Sequence, residues 1–248
     1  MMKLIDDLIA SVRNQVAPVT DVRVGVSWTG VWGKFCGLSK TYGVPVVHGN
    51  YTRDMGYLTS KTTLELAEYS KSWNLIEASI GVAAINSMIN CEDATDANAQ
   101  EIILKEGKGR KVAEVGTFPF SQELRKSAKE MWTFELDPAL LNPAKGFIIN
   151  TAAESIIPEC EMVIITGSAL INKSLERLLE LAHSAKAYTI VLGPSTCVSR
   201  VLLDYGADLL GGVEVIKPEI VLRKLSQSGG MLDSKACPGE IIPKVLAK

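Results

Sequence analysis

The sequence is poor in the residues that most often carry chemistry. It has two histidines, His48 and His183, and five cysteines, at positions 36, 91, 160, 197 and 237. The cysteines are odd in number, far apart and never in a CxxC pair. That pattern excludes a disulfide framework and gives a preformed zinc cage no support. Lysine and arginine number 26 against 28 acidic residues, for a net charge of −2, which supplies no electrostatic footprint for nucleic acid or an anionic membrane. No apolar run reaches transmembrane length. The opening residues Met1–Asp7 carry acids where a signal peptide needs its apolar stretch. The expectation is a cytoplasmic protein with neither nucleic acid nor membrane as a partner. The GxGxxG dinucleotide fingerprint is missing too, since the turn Val115-Gly116-Thr117-Phe118-Pro119-Phe120 holds one glycine. No Ser/His/Asp arrangement can be argued from the chain.

What remains is an ordinary globular composition over 248 residues, 47% hydrophobic and 22% charged, enough for one large domain or two modest ones. Its organising stretch is Glu161–Ala182. Met162-Val163-Ile164-Ile165 reads as a strand buried on both faces, the kind found in parallel sheets. Leu175, Leu178, Leu179 and Ala182 then share one helical face. Between them, Thr166-Gly167-Ser168-Ala169-Leu170-Ile171-Asn172 forms a strand-to-helix turn, where ligands of open α/β sheets sit. Asn172 or Ser174 serves equally well as a helix cap.

Two grammars divide the chain. Residues 1–92 read as helix, hairpin and two helices, an α+β unit. Leu4, Ile5, Leu8, Ile9 and Val12 line one helical face. Val22–Trp28 alternates as a half-buried strand, and Phe35–Ser39 returns after a turn at Trp32-Gly33-Lys34. A polar loop holding His48 follows. Helices are expected over 60–70 and 72–90, the second with Trp73, Ile76, Ile80, Ala83 and Ala84 on its stripe. Asn86 is a polar amide in this small-residue stretch, either a satisfied structural group or one facing a cleft. Residues 93–248 alternate strand and helix and predict a parallel-sheet α/β domain. Its strands end at Gly116, Asp137, Thr166-Gly167-Ser168 and Gly193-Pro194-Ser195-Thr196. Right-handed crossovers bring these ends to one rim. Glu135 and Asp137 lie where an acid can bind ribose hydroxyls. Ser195 or Thr196 is expected to cap the helix that follows. The segment from Ser226 to Lys248 predicts a loosely held tail. Glu114 is a charge inside a strand, explained only if it reaches a domain interface.

Laid out this way, the chain resembles a bacterial and archaeal domain-of-unknown-function family described as a heavy-metal chelation domain. The likeness covers about residues 3–225. It rests on Gly25-Val26-Ser27-Trp28-Thr29, Cys36-Gly37-Leu38, Glu77–Asn86 and Val115–Pro119. The strongest pieces are Ile165–Asn172 and Leu192-Gly193-Pro194-Ser195-Thr196. Two positions depart from the family pattern: Cys197, where proline usually follows, and Glu114, where an apolar residue is usual.

The resemblance implies a domain similar to the enolase N-terminal fold, then a Rossmann-like domain with partial likeness to methyltransferases, and a site between them. It implies a pterin-, flavin- or siderophore-like ligand, condensed or hydrolysed there. A non-catalytic carrier of a metal–chelator complex or nucleotide-like ligand is the alternative, with an S-adenosylmethionine-dependent methyltransferase third. The expected ligand residues are Thr29, Gly116, Phe118, Asp137, Thr166, Gly167, Ser168, Asn172, Gly193, Pro194, Ser195 and Thr196. His48 and Asn86 are the catalytic candidates, no metal ligand is named, and a homodimer is anticipated from exposed apolar strands.

Overall fold

The computed structural model describes residues 2–42 and 52–248. Helix α1 (Lys3–Ser11) leads to strands β1 (Asp21–Val24), β2 (Trp28–Trp32) and β3 (Cys36–Lys40), then helices α2 (Thr63–Ala67) and α3 (Leu75–Asn86). After a linker containing the two-residue strand β4 (Thr95–Asp96), the order is α4 (Ala99–Glu106), β5 (Lys111–Val115), α5 (Ser121–Ser127), β6 (Glu130–Glu135), β7 (Phe147–Ile149) and α6 (Ala153–Ile156). The chain continues through β8 (Met162–Thr166), α7 (Leu175–Ser184), β9 (Tyr188–Leu192), α8 (Arg200–Asp204), β10 (Leu209–Val215), α9 (Pro218–Ser226) and β11 (Ile241–Ala247).

The large sheet has the order β4-β11-β10-β9-β8-β5-β6-β7. Six of its strands, β5 to β10, pair in parallel. Counted from β5 they run 3-2-1-4-5-6, the order of the doubly wound dinucleotide-binding sheet. The direction of winding reverses between β5 and β8, and there the sheet opens a crevice at its carboxyl edge. Met162, Val163, Ile164 and Ile165 in β8 are all fully buried, as a central strand with helices on both faces requires.

The small unit is a three-stranded antiparallel meander, β1-β2-β3. Val22–Trp28 is therefore not one strand, as its alternation suggested. It breaks at Gly25, whose N–H donates to the Trp28 carbonyl at 2.9 Å. The reason lies in α9: a Cβ on Gly25 would stand 2.3 Å from the Leu225 carbonyl oxygen, and one on Gly30 would stand 2.4 Å from Leu222 Cδ2. Glycines thus let a helix of the large unit lie directly on the small sheet. The other face is covered by α3, whose residues Glu77–Ile85 are all buried, so it is buried all round rather than striped. Trp73 is not on that helix. It precedes the Asn74 cap and is 78% exposed.

Two further expectations are corrected. The stretch after Ser226 is not a loose tail: β11 pairs with β10 over seven registered positions, Leu209↔Ala247 to Val215↔Ile241. Its partner β10 runs through Gly211-Gly212 to Val215. Helix α8 is capped by Ser199, whose side chain accepts from the Val201 N–H, and not by Ser195 or Thr196.

Lys186 follows α7 with φ +54°, a left-handed conformation. The Lys186 and Ala187 N–H groups close the helix end on the carbonyls of His183 and Ala182. Glycine is the usual occupant of such a position because it has no Cβ to strain. Lys186→Gly is expected to stabilise the fold by about 0.5–1 kcal/mol, read as a raised urea midpoint at unchanged slope.

Candidate functional site

The crevice at the winding reversal is lined from both units. Strand β5 ends at Val115, and Gly116 turns the chain away at φ +83°. A Cβ at Gly116 would stand 3.1 Å from Thr166 Cγ2 at the end of the neighbouring β8, so the two strand ends touch across the switch point. Thr166 then caps a short 3-10 turn, Gly167–Leu170, its hydroxyl oxygen accepting from the Ser168 N–H. The Thr166 and Ser168 hydroxyls also bond each other at 2.9 Å. Asn172 Nδ2 donates to the Tyr42 hydroxyl at 2.9 Å, while its Oδ1 accepts from the Ser174 N–H and hydroxyl. At the end of β6, the Thr117 hydroxyl bonds Glu135, and Asp137 Oδ1 accepts from the Ala139 N–H.

These groups surround a cavity of about 350 Å³, within the size range of small-ligand sites. Val115, Phe134 and Ala169 form its apolar part, and Lys40, Thr41 and Tyr42 reach it from the end of β3. The Lys40 ammonium lies 5.4 Å from the centre of the Trp28 ring. Burial raises the Tyr42 pKa above its usual value, which keeps the phenol neutral and able to donate. Among the described residues, the cavity thus presents one cation, two carboxylates, and several hydroxyls and amides.

Of the residues expected from sequence, Gly116, Asp137, Thr166, Ser168 and Asn172 line this cavity together. Gly167 lies beneath it, buried: a Cβ there would stand 2.5 Å from the Thr196 N. Thr29 is fully buried and bonds the Thr41 hydroxyl at 2.8 Å, one layer behind the wall. Ser195 and Thr196 are also buried, at 3% and 4% exposure. Ser195 is a joint between the units: its Oγ accepts from the Lys40 N–H at 2.8 Å, and its carbonyl accepts from Asn86 Nδ2 at 3.3 Å. Asn86 bonds the Leu38 carbonyl as well, so its amide is spent on clasping β3 to the loop after β9. Phe118, Gly193 and Pro194 line a different cavity. The four strand ends therefore do not share one site. His48 lies outside the described residues. Lys40, Tyr42 and Asn150 were missed in sequence; nothing in their local pattern marks them, because the fold alone brings them to the crevice.

Glu114 does not reach a domain interface. It is fully buried under α5, accepting from the Ser121 hydroxyl at 2.5 Å and the Thr133 hydroxyl at 3.0 Å. Ser121 Oγ in turn accepts from the Phe118 N–H, so this carboxyl anchors the Gly116–Phe120 loop. Burial pushes its pKa up to about 7.

The described residues do not offer a resident metal a ligand set. Burial pushes the thiols of Cys36, Cys160 and Cys197 up to about 12, which disfavours the thiolate form. Among the described residues no group of three or more His, Cys, Asp or Glu side chains is placed to hold a metal ion. Nor, among them, is any helix long and apolar enough to cross a membrane.

These features define a two-unit α/β protein, a doubly wound sheet whose switch point opens beside a three-stranded antiparallel unit. The chain belongs to the DUF364 family, whose model matches residues 98–237 and is described as "Putative heavy-metal chelation". A second model with the same description, DUF4213, matches residues 5–89. An uncharacterized protein of Methanocaldococcus jannaschii is 32% identical over 153 residues, which span 60% of this chain and 57% of that one. A DUF364-family crystal structure from Desulfitobacterium hafniense, of unknown function, superposes with a TM-score of 0.82 at 25% identity, covering 100% of this chain and 99% of that one. Another from Pyrococcus horikoshii, also of unknown function, gives 0.77 at 24% identity with the same coverage.

Proposed function

We propose that the protein binds a small heteroatom-rich metabolite of the pterin, flavin or siderophore type in the cavity between β5 and β8. The observation that carries this reading is the mixed lining of that cavity. Lys40, Glu135, Asp137, Thr166, Ser168 and Asn172 converge from two strand ends and the small unit. A ring or chain with alternating nitrogen and oxygen atoms uses such donors and acceptors, while Val115, Phe134 and Ala169 take its apolar face. The two carboxylates suit hydroxyl or ring N–H donors. A metal would arrive held by its own chelator, as cargo. The disposition of the charged groups favours a carrier over an enzyme: Lys40 lies over an indole, Glu135 bonds Thr117, and Asp137 caps a turn. None of these contacts activates a nucleophile.

Native mass spectrometry of the freshly purified protein tests the reading. One small molecule should be retained by the wild type and lost at least tenfold in Ser168→Leu, with the melting temperature of ligand-stripped protein little changed. A wild-type protein that carries nothing and binds no pterin, flavin or catecholate chelator in calorimetry would refute it.

A further inference from the structure

The loop Gly116–Phe120 has two sides. Gly116 lines the switch-point cavity, whereas Phe118 and Phe120 line a second one of about 350 Å³ that shares no wall residue with the first. The first turn of α4, the loop after β9, Gly211-Gly212 of β10, the segment Met231–Lys235 and β11 complete it. We propose that this second cavity is a distinct binding site for a neutral, flat aromatic or heteroaromatic molecule of two or three fused rings.

Shape argues for a flat guest. The Phe118 and Phe120 rings lie parallel, 5.5 Å apart with an interplanar angle of 5°. Phe120 is buried, and Phe118 is partly exposed. A stacked pair of this kind offers a planar apolar platform. Leu192 and Pro194 add apolar wall, and Gly193 leaves bare backbone, with no atom within 4 Å of where its Cβ would stand. Met231, half-exposed at 50%, supplies an adaptable thioether that contacts aromatic edges favourably.

Charge argues for a neutral one. The wall holds two cations and a carboxylate: Lys244 is already held by Asp96 at 2.7 Å and Glu214 at 2.8 Å, and the exposed Lys235 is offset by Asp233, whose Oδ1 accepts from the Lys235 N–H. The α4 N-terminus is capped from within, since Asn98 Oδ1 accepts from the Gln100 N–H at 3.0 Å. The lining thus carries offset charges and no net field that selects an anion. The inference stands independently of what occupies the switch-point cavity.

The test uses the full chain and the neutral naphthalene probe 6-propionyl-2-dimethylaminonaphthalene, whose emission shifts to the blue in apolar surroundings. Saturable binding of one probe per chain is expected. Phe118→Ala and Met231→Asp should each weaken it at least tenfold. Trp73→Asp, which removes an exposed indole elsewhere, should leave it unchanged. The anionic anilinonaphthalene sulfonate should bind at least tenfold more weakly than the neutral probe. Met231→Asp alters a half-exposed side chain and decides the matter even if Phe118→Ala folds poorly. Non-saturable binding, or an affinity indifferent to Met231→Asp, overturns the site. Equal affinity for the anionic probe overturns the assignment of a neutral guest.

Discussion

Gly81→Ala is expected to destabilise the protein by about 3 kcal/mol or more, although alanine in place of glycine inside a helix normally gains up to about 1 kcal/mol. The sign reverses because α3 has a neighbour where the methyl would go. A Cβ at Gly81 would stand 1.9 Å from the Ser70 N, 2.5 Å from the Ser70 Cα and 2.6 Å from the Tyr69 carbonyl carbon. All three are backbone atoms, so no side chain can swing aside. Either α3 or the 3-10 turn Glu68–Lys71 must move. Both are rooted in the main core through Ile80, Ala84 and Tyr69. A loss of this size is a large share of the roughly 5–15 kcal/mol that holds a domain together. Urea denaturation followed by circular dichroism gives the answer. A midpoint equal to or above the wild type would show that the close approach of these segments is wrong.

Glu114 should make stability fall as pH rises. Its carboxyl titrates near 7 in the fold, against an ordinary value of 4.5, because burial disfavours the charged form more than the Ser121 and Thr133 hydroxyls and the nearby Arg125 favour it. Between these two values the folded state holds a proton that the unfolded chain releases. The contribution is therefore complete below about pH 4.5 and is lost as pH climbs through 7. Its size is on the order of 3 kcal/mol, at about 1.4 kcal/mol for each pKa unit. Glu114→Gln keeps the shape and removes the titration. The difference between wild type and Glu114→Gln, measured by urea midpoint from pH 5 to pH 8, should shift in favour of the variant by most of that amount. A difference that stays flat across this range would mean that Glu114 remains ionised throughout.

The parts of the fold legible in sequence were those that need burial on both faces. Val112-Ala113 and Met162–Ile165 are continuous apolar runs because a parallel sheet covered by helices demands it, and α7 shows its stripe because one side meets water. Strand β11 was illegible for the opposite reason. Pro243 interrupts Ile241–Ala247 and argues against a central strand. It is tolerated because β4 reaches only Lys244 and Val245, leaving an edge at the proline. The break at Gly25 depends on a helix two hundred residues away in sequence, and no local pattern carries that information.

The site divides in the same way. Strand ends are visible in sequence, and Gly116, Asp137, Thr166, Ser168 and Asn172 do meet. Which side of the rim each loop faces is set by contacts without a sequence signature. Gly167 admits Thr196, and the Lys40 N–H takes up Ser195 from 155 residues away. Those two contacts bury Ser195 and Thr196. Phe118 and Pro194 line the other cavity.

The place of β11 bears on how the chain survives its own synthesis. This strand separates β10 from β4, and Lys244 meets Asp96 across 148 residues of sequence. Pairing over such a span closes late. Until it does, Leu209–Val215 offers an uncovered row of peptide groups with two glycines and little charge, a template for strands from other nascent molecules. The closing strand is thus also a guard against aggregation, and a protease cut between α9 and β11 would remove both functions at once.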